Sequence, residues 1–152
     1  MVYNMVLDIG SKAPCFELIA HDGSRVRFSD LRGHYVVLYF YPRAGTSGCT
    51  REARKFNELY DEFKKLGVVV LGISTDRLDK ISKFAKELDL RFKLLFDNDG
   101  EVAKLFDIFK ISCRRISAQR VTYVVNPESR IIKVLRNVRP SEKHADLSEI
   151  LK

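Results

Sequence analysis

Cysteine is scarce in this chain of 152 residues: only Cys15, Cys49 and Cys113 are present, and they lie far apart. No C-x-x-C pair occurs, which excludes a locally encoded zinc knuckle and a dithiol redox motif. An odd number of cysteines does not suit the disulfide framework of a secreted domain. It suits an intracellular protein with one working thiol.

Long apolar runs are also missing. The longest apolar stretch, residues 35–41, has the length of a strand and falls far short of the ~18 residues of a membrane span. Residues 1–12 lack a basic start followed by a long apolar core, so no secretory signal is visible. We therefore expect a cytoplasmic protein with no membrane partner.

Charge of one sign is in moderate excess, with 27 Lys and Arg against 20 Asp and Glu and a formal net charge of +7. A basic excess can indicate nucleic acid, a membrane surface or an acidic partner. Here the cations alternate with acids, as where Asp79 precedes Lys80 and Lys86 precedes Glu87. We interpret the charge as a solvated surface rich in ion pairs and expect no nucleic-acid partner.

The remaining composition is that of a globular protein, with 45% hydrophobic and 31% charged residues. The length suits one domain, and no repeat or linker interrupts the chain. We therefore predict a single domain over residues 1–152.

Hydrophobic patterning predicts alternating strands and helices. Residues 16–20 and 25–28 flank a polar turn and are typical of a β-hairpin. The continuously apolar residues 36–41 predict a central strand that is covered on both faces and ends at Pro42. Further strands are predicted at 68–73, 92–96, 121–125 and 131–135, and helices at 49–66, 78–88, 101–106 and 141–151. The first of these helices has one apolar face and ends at Gly67 as its cap; the face consists of Phe56, Leu59, Tyr60, Phe63 and Leu66.

Parallel strand–helix units followed by an antiparallel pair of strands give a mixed central sheet with helices on both faces. The predicted fold is therefore α/β with thioredoxin-like architecture and an added N-terminal β-hairpin.

The segment YFYPRAGTSGCTREA, residues 39–53, is the most informative part of the chain. It follows the predicted central strand, at the carboxyl end of which ligands bind in open α/β sheets. Cys49 falls in the first turn of the next helix, where unpaired backbone N–H groups and the positive end of the helix dipole favour a thiolate. The alternative for a lone cysteine is a buried and inert residue.

Other residues of this segment are candidates for supporting that thiol. Thr46 lies three residues before Cys49, where its hydroxyl can reach the sulfur or a ligand beside it, and it can also cap the helix. Pro42 can shape the loop and shield the thiol from water, or simply end the strand. Gly45 and Gly48 permit close backbone approach.

The pattern Pro42-x-x-x-Thr46-x-x-Cys49 resembles the active-site signature of the peroxiredoxins. The flanking sequences YFYP and GCTREA resemble the Q subfamily, the bacterioferritin comigratory protein group. Four further segments resemble that group in the same order: residues 12–18, 72–76, 120–125, and 137–140 with His144.

The resemblance implies a thioredoxin-fold peroxidase that reduces hydrogen peroxide and organic hydroperoxides through a cysteine sulfenic acid, for antioxidant defence. Cys49 would be the nucleophile, Arg120 the arginine beside its sulfur, and Glu52 the acid that orients this arginine. From the residues alone, Arg120 fits a surface arginine that opens a strand, and Glu52 fits a first-turn glutamate that favours the helix dipole. No metal or organic cofactor is required. The three histidines, His21, His34 and His144, are interpreted as surface or structural residues.

The chain departs from the family pattern where a second thiol must resolve the sulfenic acid. Arg54 and Ala85 stand at the two positions where the resemblance places that thiol. Either an external thiol or a thioredoxin-like reductant completes the cycle of a one-cysteine enzyme, or Cys113 or Cys15 does so, within or between chains. We favour the first alternative. Cys113 lies beside Arg114 and Arg115, which would favour its thiolate if it is exposed, or it is simply buried, and Cys15 fits a packing residue at the start of an apolar strand. Whether the protein is a monomer or a homodimer stays open.

Two other classes of protein can be compared with the sequence. A cysteine phosphatase needs the spacing C-x5-R, but Lys55 stands six residues after Cys49. A basic binding or holdase module of the same fold would keep its activity after loss of Cys49, so a peroxide-consumption assay distinguishes it from an enzyme.

Overall fold

A seven-stranded mixed sheet forms the centre of the molecule in the computed structural model, which describes residues 7–112 and 115–136. Its strands are β1 (Glu17–Ala20), β2 (Arg25–Arg27), β3 (Tyr35–Phe40), β4 (Val68–Ser74), β5 (Lys93–Phe96), β8 (Val121–Val125) and β9 (Ile131–Arg136), and a separate pair is formed by β6 (Phe109–Ser112) and β7 (Arg115–Ala118). The helices are α1 (Ser47–Glu58), α2 (Tyr60–Lys65), α3 (Leu78–Glu87) and α4 (Glu101–Leu105), with short 3-10 turns at Phe28–Leu31 and Asn98–Gly100.

The strand order in the sheet is β2-β1-β5-β4-β3-β8-β9. β4 runs parallel to both β3 and β5, whereas β1, β8 and β9 are paired antiparallel to their neighbours. The N-terminal strands β1 and β2 form the predicted hairpin. The prediction of a mixed sheet with an N-terminal hairpin is therefore confirmed.

The two faces of this sheet bury different helices. Along β3, Leu38 and Phe40 point to the side that α4 covers with Phe106, which we call the α4 face. Val37 and Tyr39 point to the opposite side, covered by α1, α2 and α3, which we call the α1 face. Helices thus lie on both faces, and β3 is buried on both sides, as its continuous apolar sequence predicts.

A small residue in β4 sets how closely α1 packs on its face. A Cβ atom at Gly72 would lie 2.7 Å from Cζ of Tyr39 and 2.7 Å from Cδ2 of Leu94. Glycine therefore leaves room for the Tyr39 ring over β4. That ring stacks on Phe56 of α1, with the centroids 4.5 Å apart, so the pair fixes the helix that carries Cys49.

The long helix predicted before β4 is wrong in one respect, since it breaks at Leu59 into α1 and α2. Phe56 and Phe63 are buried as predicted, but Leu66 is 53% exposed. Leu66 follows the last turn of α2, where the chain turns through Gly67 at a φ of 71°. Its side chain therefore leaves the face that the two phenylalanines bury.

The β6–β7 hairpin was not among the predicted strands. Its strands pair with each other over four residue pairs and form a sheet of their own. The hairpin lies between α4 and β8 in the chain and leaves Ile111 68% exposed. The sequences FKIS and RISA do alternate between apolar and polar residues, but each strand has only four residues, the shortest run for which alternation indicates a strand.

Several predictions fall on residues outside the described part of the chain. These are the C-terminal helix over 141–151, the family-like residues 137–140 with His144, and the placement of Cys113. Within residues 7–112 and 115–136, no helix combines the length and the apolar character that crossing a bilayer requires.

Candidate active site

Cys49 lies where β3 gives way to α1. The Tyr41 N–H donates to the Ile73 carbonyl oxygen at 3.1 Å, and Pro42, which has no N–H, ends the ladder there. The chain then turns through Gly45, with a φ of 88°, and α1 begins at Ser47. Cys49 is the third residue of α1 and is only 1% exposed. The predicted position in the first helical turn is confirmed.

Arg120 reaches this sulfur from a distant part of the sequence. It directly precedes β8, whose first residue, Val121, pairs with Phe40 at the end of β3. The antiparallel pairing of β3 and β8 therefore brings Arg120 to the edge where α1 starts. Its Nη2 lies 3.2 Å from Cys49 Sγ, within hydrogen-bonding distance.

Glu52 holds the other side of the same guanidinium. Arg120 Nη1 donates to Glu52 Oε1 at 2.7 Å, and the Glu52 side chain is fully buried. Glu52 lies three residues after Cys49, so both groups face Arg120 from the same side of α1. A buried carboxylate needs such a partner, because an uncompensated charge in the interior is costly. The orienting role that the resemblance implies agrees with this contact.

Burial alone would lower the pKa of Arg120, but its electrostatic interactions and hydrogen bonds with Glu52 and with the Cys49 sulfur outweigh burial and raise this pKa above its usual value. The guanidinium is therefore a permanent cation beside the sulfur. Burial raises the pKa of Tyr39 and of Tyr41 on the same face, so both phenols stay neutral.

Gly48 gives the guanidinium its space. A Cβ atom at this position would lie 3.2 Å from Arg120 Nη2, closer than most side-chain contacts. The sequence predicts that Gly48 permits a close approach, and the structure identifies the approaching group as Arg120.

Thr46 occupies the N-cap position of α1, but among the described residues its side chain makes neither the predicted capping contact nor the predicted contact with the sulfur. Its hydroxyl donates to the Arg43 carbonyl oxygen at 3.0 Å. Among the described residues, its side chain forms no hydrogen bond to a helix N–H or to the sulfur. Because the hydroxyl proton is used within the loop, the oxygen is left to act as an acceptor.

Pro42 forms part of a cavity of about 470 Å³. Arg120 also lines this cavity, together with residues of β7. The guanidinium therefore connects Cys49 with a space large enough for a small ligand.

Asp76 is a residue that the sequence analysis missed. Its Oδ2 accepts a hydrogen bond from the Ala44 N–H at 2.7 Å and one from the Ser74 hydroxyl at 3.0 Å. It therefore ties the loop before Cys49 to the end of β4. The signal was present, since β3 and β4 are parallel and a polar residue just after β4 must lie at the same sheet edge as that loop.

Cys15 corrects another expectation. It is exposed and precedes β1, whereas the sequence suggested a packing residue in an apolar strand. The apolar interior at this point is supplied by its neighbour Phe16. Among the described residues, no group of three or more His, Cys, Asp or Glu side chains is arranged to hold a metal ion.

Comparison with known proteins identifies the family. The model of the AhpC/TSA family matches residues 9–134. Peroxiredoxin Bcp of Bacillus subtilis is 37% identical over 152 residues, which cover 97% of each chain. The crystal structure of peroxidoxin BcpB from Mycobacterium tuberculosis superposes with a TM-score of 0.87 at 32% identity, covering 95% of this chain and 96% of that one.

A further similar structure is the bacterioferritin comigratory protein of Xanthomonas campestris, with a TM-score of 0.80 and 28% identity over 90% of this chain and 92% of that one. The family model, the relatives and the fold all agree with the signature around Cys49. The chain belongs to the AhpC/TSA family and is a peroxiredoxin of the Bcp group, a thiol-dependent peroxidase.

Proposed function

We propose that Cys49 is the nucleophile of this peroxidase and that its substrates are hydrogen peroxide and organic hydroperoxides. The observation that carries the proposal is the 3.2 Å contact between Arg120 Nη2 and Cys49 Sγ. A fixed cation at this distance favours the thiolate, which is the reactive form of cysteine. The alkyl peroxide reduction activity of the Xanthomonas campestris protein supports the same substrate class.

In the proposed step, the Cys49 thiolate attacks the terminal oxygen of R–O–OH. The S–O bond forms as the O–O bond breaks, and the released alkoxide takes a proton and leaves as an alcohol, or as water when the substrate is hydrogen peroxide. The sulfur is oxidised to sulfenic acid and the peroxide is reduced. Negative charge grows on the departing oxygen, and a preorganised guanidinium stabilises that charge in the transition state.

Three further residues have proposed roles in this step. Glu52 fixes the guanidinium, because Arg120 Nη1 is engaged by its carboxylate. The Thr46 hydroxyl donates its hydrogen bond to the Arg43 carbonyl oxygen, so its oxygen can accept a hydrogen bond from the peroxide O–H and orient the peroxide. Pro42 lines the cavity beside Arg120 and limits the water around the sulfur.

An external thiol or a thioredoxin-like reductant completes the proposed cycle, so the enzyme is of the one-cysteine type. Arg54 and Ala85 at the expected resolving positions support this proposal. The alternative resolving thiols are Cys113, which lies outside the described residues, and the exposed Cys15. A single cytoplasmic domain over residues 1–152, acting as a monomer or a homodimer, completes the proposal.

The test is the oxidation of the pre-reduced protein by peroxide in a stopped-flow instrument. Cys49→Ser should abolish it, whereas Cys113→Ser and Cys15→Ser should leave the first oxidation intact. Intact-mass spectrometry with peptide mapping after one equivalent of hydrogen peroxide should find one added oxygen on Cys49 and no disulfide. A Cys49–Cys113 disulfide would contradict the one-cysteine cycle, and loss of the first oxidation in Cys113→Ser would contradict the choice of nucleophile.

A further inference from the structure

A second cavity, of about 340 Å³, shares Pro42 with the cavity that Arg120 lines. Its distinguishing feature is positive charge, since four of the residues that line it are basic. These four residues, which we call the basic cleft, are Arg43, Arg77, Lys80 and Arg115.

The cations of the basic cleft come from three separate parts of the chain. Arg43 belongs to the loop after β3, Arg77 and Lys80 stand at the start of α3, and Arg115 opens β7. The fold thus assembles the cluster around a cavity next to the proposed active site.

Acidic residues offset the charge of this cleft only in part. One carboxylate, that of Asp76, also lines the cavity, against four cations. Arg77 pairs with Asp79 at 3.3 Å in an exposed contact, and such contacts are weak in water. The other three cleft cations make no ion pair within the described part of the chain.

Some basic residues elsewhere on the surface have an acidic partner. Arg27 contacts Glu17, and Lys83 contacts Glu87 one turn further along α3. The predicted ion pairing therefore holds for these two residues, whereas three of the four cleft cations have no such contact among the described residues. An excess of one charge around a concave site raises the local concentration of ligands of the opposite charge.

We propose that the basic cleft binds a carboxylate carried by the hydroperoxide substrate, so that the enzyme reduces anionic hydroperoxides faster than neutral ones. This inference rests on the proposed function. Arginine matches a carboxylate through paired N–H donors, and Pro42 and Ile116 offer apolar contact to the carbon chain. A concave space of this volume suits a small molecule. The carboxylate takes no part in the chemistry, and the peroxide group is reduced to an alcohol as described above.

Matched probes test the proposal. We would measure the second-order rate of oxidation of the pre-reduced protein by 4-hydroperoxy-4-methylpentanoate, by its methyl ester and by tert-butyl hydroperoxide. Longer homologues of the acid and ester vary the spacing between carboxylate and peroxide. We expect the acid to react about tenfold faster than its ester for at least one spacing, and this ratio to fall as salt is added.

Variants of the cleft locate the effect. Lys80→Gln and Arg115→Gln, separately and together, should bring the acid-to-ester ratio towards one. Lys83→Gln is the matched control, because Lys83 lies on the same helix but is paired with Glu87 and does not line the cavity. The ratio should be unchanged in this control.

The outcomes separate the two proposals. If the acid reacts no faster than its ester at any of the spacings, the inference is wrong. Oxidation of Cys49 by tert-butyl hydroperoxide would in that case still support the proposed function. If no peroxide oxidises Cys49, the proposed function itself fails. If the cleft variants slow re-reduction by a protein thiol and leave the ratio unchanged, the cleft serves an acidic reductant and the inference is wrong.

Discussion

The two faces of the central sheet use the same strands but bury different chemistry. The α4 face buries aromatic and aliphatic side chains, and its Tyr123 hydroxyl donates to the Phe106 carbonyl oxygen at 3.3 Å. The α1 face buries the Cys49 thiol, and α1 also carries the buried Glu52 that pairs with Arg120. Consecutive residues of one strand, Tyr39 and Phe40, thus point to opposite faces, and only the face of Tyr39 carries the reactive thiol.

This difference shows how the fold separates stability from reactivity. Apolar burial on the α4 face contributes favourable free energy without any need for compensation. The charges at the start of α1 lose hydration when they are buried, and their mutual contacts offset that loss. Substitutions on the α4 face should therefore change stability alone, and substitutions around Cys49 should mainly change its reactivity.

The largest effect on stability is expected for Phe106→Ala. The Phe106 ring is fully buried and lies 5.1 Å, centroid to centroid, from both Phe40 and Tyr123. Its removal should lower the free energy of unfolding by about 3–5 kcal/mol, measured by urea denaturation, and leave the oxidation rate of the folded protein unchanged. Phe56→Ala on α1 is the counterpart. It should lower both the free energy of unfolding and the oxidation rate, because Phe56 supports the helix that carries Cys49. A large loss of rate in Phe106→Ala would contradict the separation of the two faces.

Arg120→Gln should give the largest effect on reactivity. The oxidation rate of Cys49 by tert-butyl hydroperoxide should fall by about 100-fold or more, as when a fixed donor to a developing anion is removed. Stopped-flow measurement of the pre-reduced variant checks this, with the exposed Arg91→Gln as a control that should keep the rate.

A double variant distinguishes the charge of Arg120 from its structural contribution. Arg120→Gln alone leaves the buried Glu52 without this cation and should also destabilise the protein. Adding Glu52→Gln should recover part of the stability but none of the rate. Recovery of the rate would show that the loss in the single variant came from misfolding.

Much of this arrangement could be predicted from the sequence because it depends on local patterns. The continuous apolar run before Pro42 predicts β3, and the spacing of apolar residues predicts a helix with Cys49 near its start. The β6–β7 hairpin, which frames both cavities, was not predicted, because the alternation of apolar and polar residues in each strand extends over only four residues.

The contacts of the site are less predictable, because they join residues that are distant in sequence. Arg120 was placed by resemblance and not by spacing, since its proximity to Cys49 depends on the pairing of β3 with β8. Thr46 is the exception, because its partner, the Arg43 carbonyl oxygen, lies only three residues earlier, and the sequence does not decide between this local contact and a helix cap. Asp76 was missed because its contact with Ala44 spans 32 residues.

Asp76→Ala should have an intermediate effect on the oxidation rate of Cys49. It removes the acceptor for the Ala44 N–H and frees the loop that carries Thr46. We expect about a tenfold slower oxidation of Cys49, which corresponds to ~1.4 kcal/mol in the barrier. The neutral probe tert-butyl hydroperoxide is required, since loss of Asp76 also makes the basic cleft more positive. Asp76→Asn keeps one carbonyl oxygen that can accept from Ala44 and should recover part of the rate. Equal rates in Asp76→Ala and the unaltered protein would show that the loop does not need the hydrogen bond from Ala44 to Asp76.

The smallest effect concerns pH and lies in the hairpin, away from Cys49. Burial lowers the pKa of His21 below its usual value of 6.5, and its Nδ1 accepts the Leu94 N–H at 3.1 Å. The unfolded chain therefore binds a proton more readily than the folded one just below pH ~6.5. Stability should be complete above that pH and should fall modestly as the pH drops through it towards the lower folded pKa.

Urea denaturation at pH 7.5 and at pH 5.5 checks this expectation. In His21→Gln, whose side-chain carbonyl can still accept from Leu94, the part of the pH dependence due to His21 should disappear. His34→Gln is the matched control, since His34 is exposed and should leave the dependence as it is. If His21→Gln kept the full dependence, the titrating group would have to lie elsewhere, and the polar site on the α1 face would be the next region to test. A loss confined to His21→Gln would instead show that this part of the pH dependence arises in the hairpin and not at the Cys49 site.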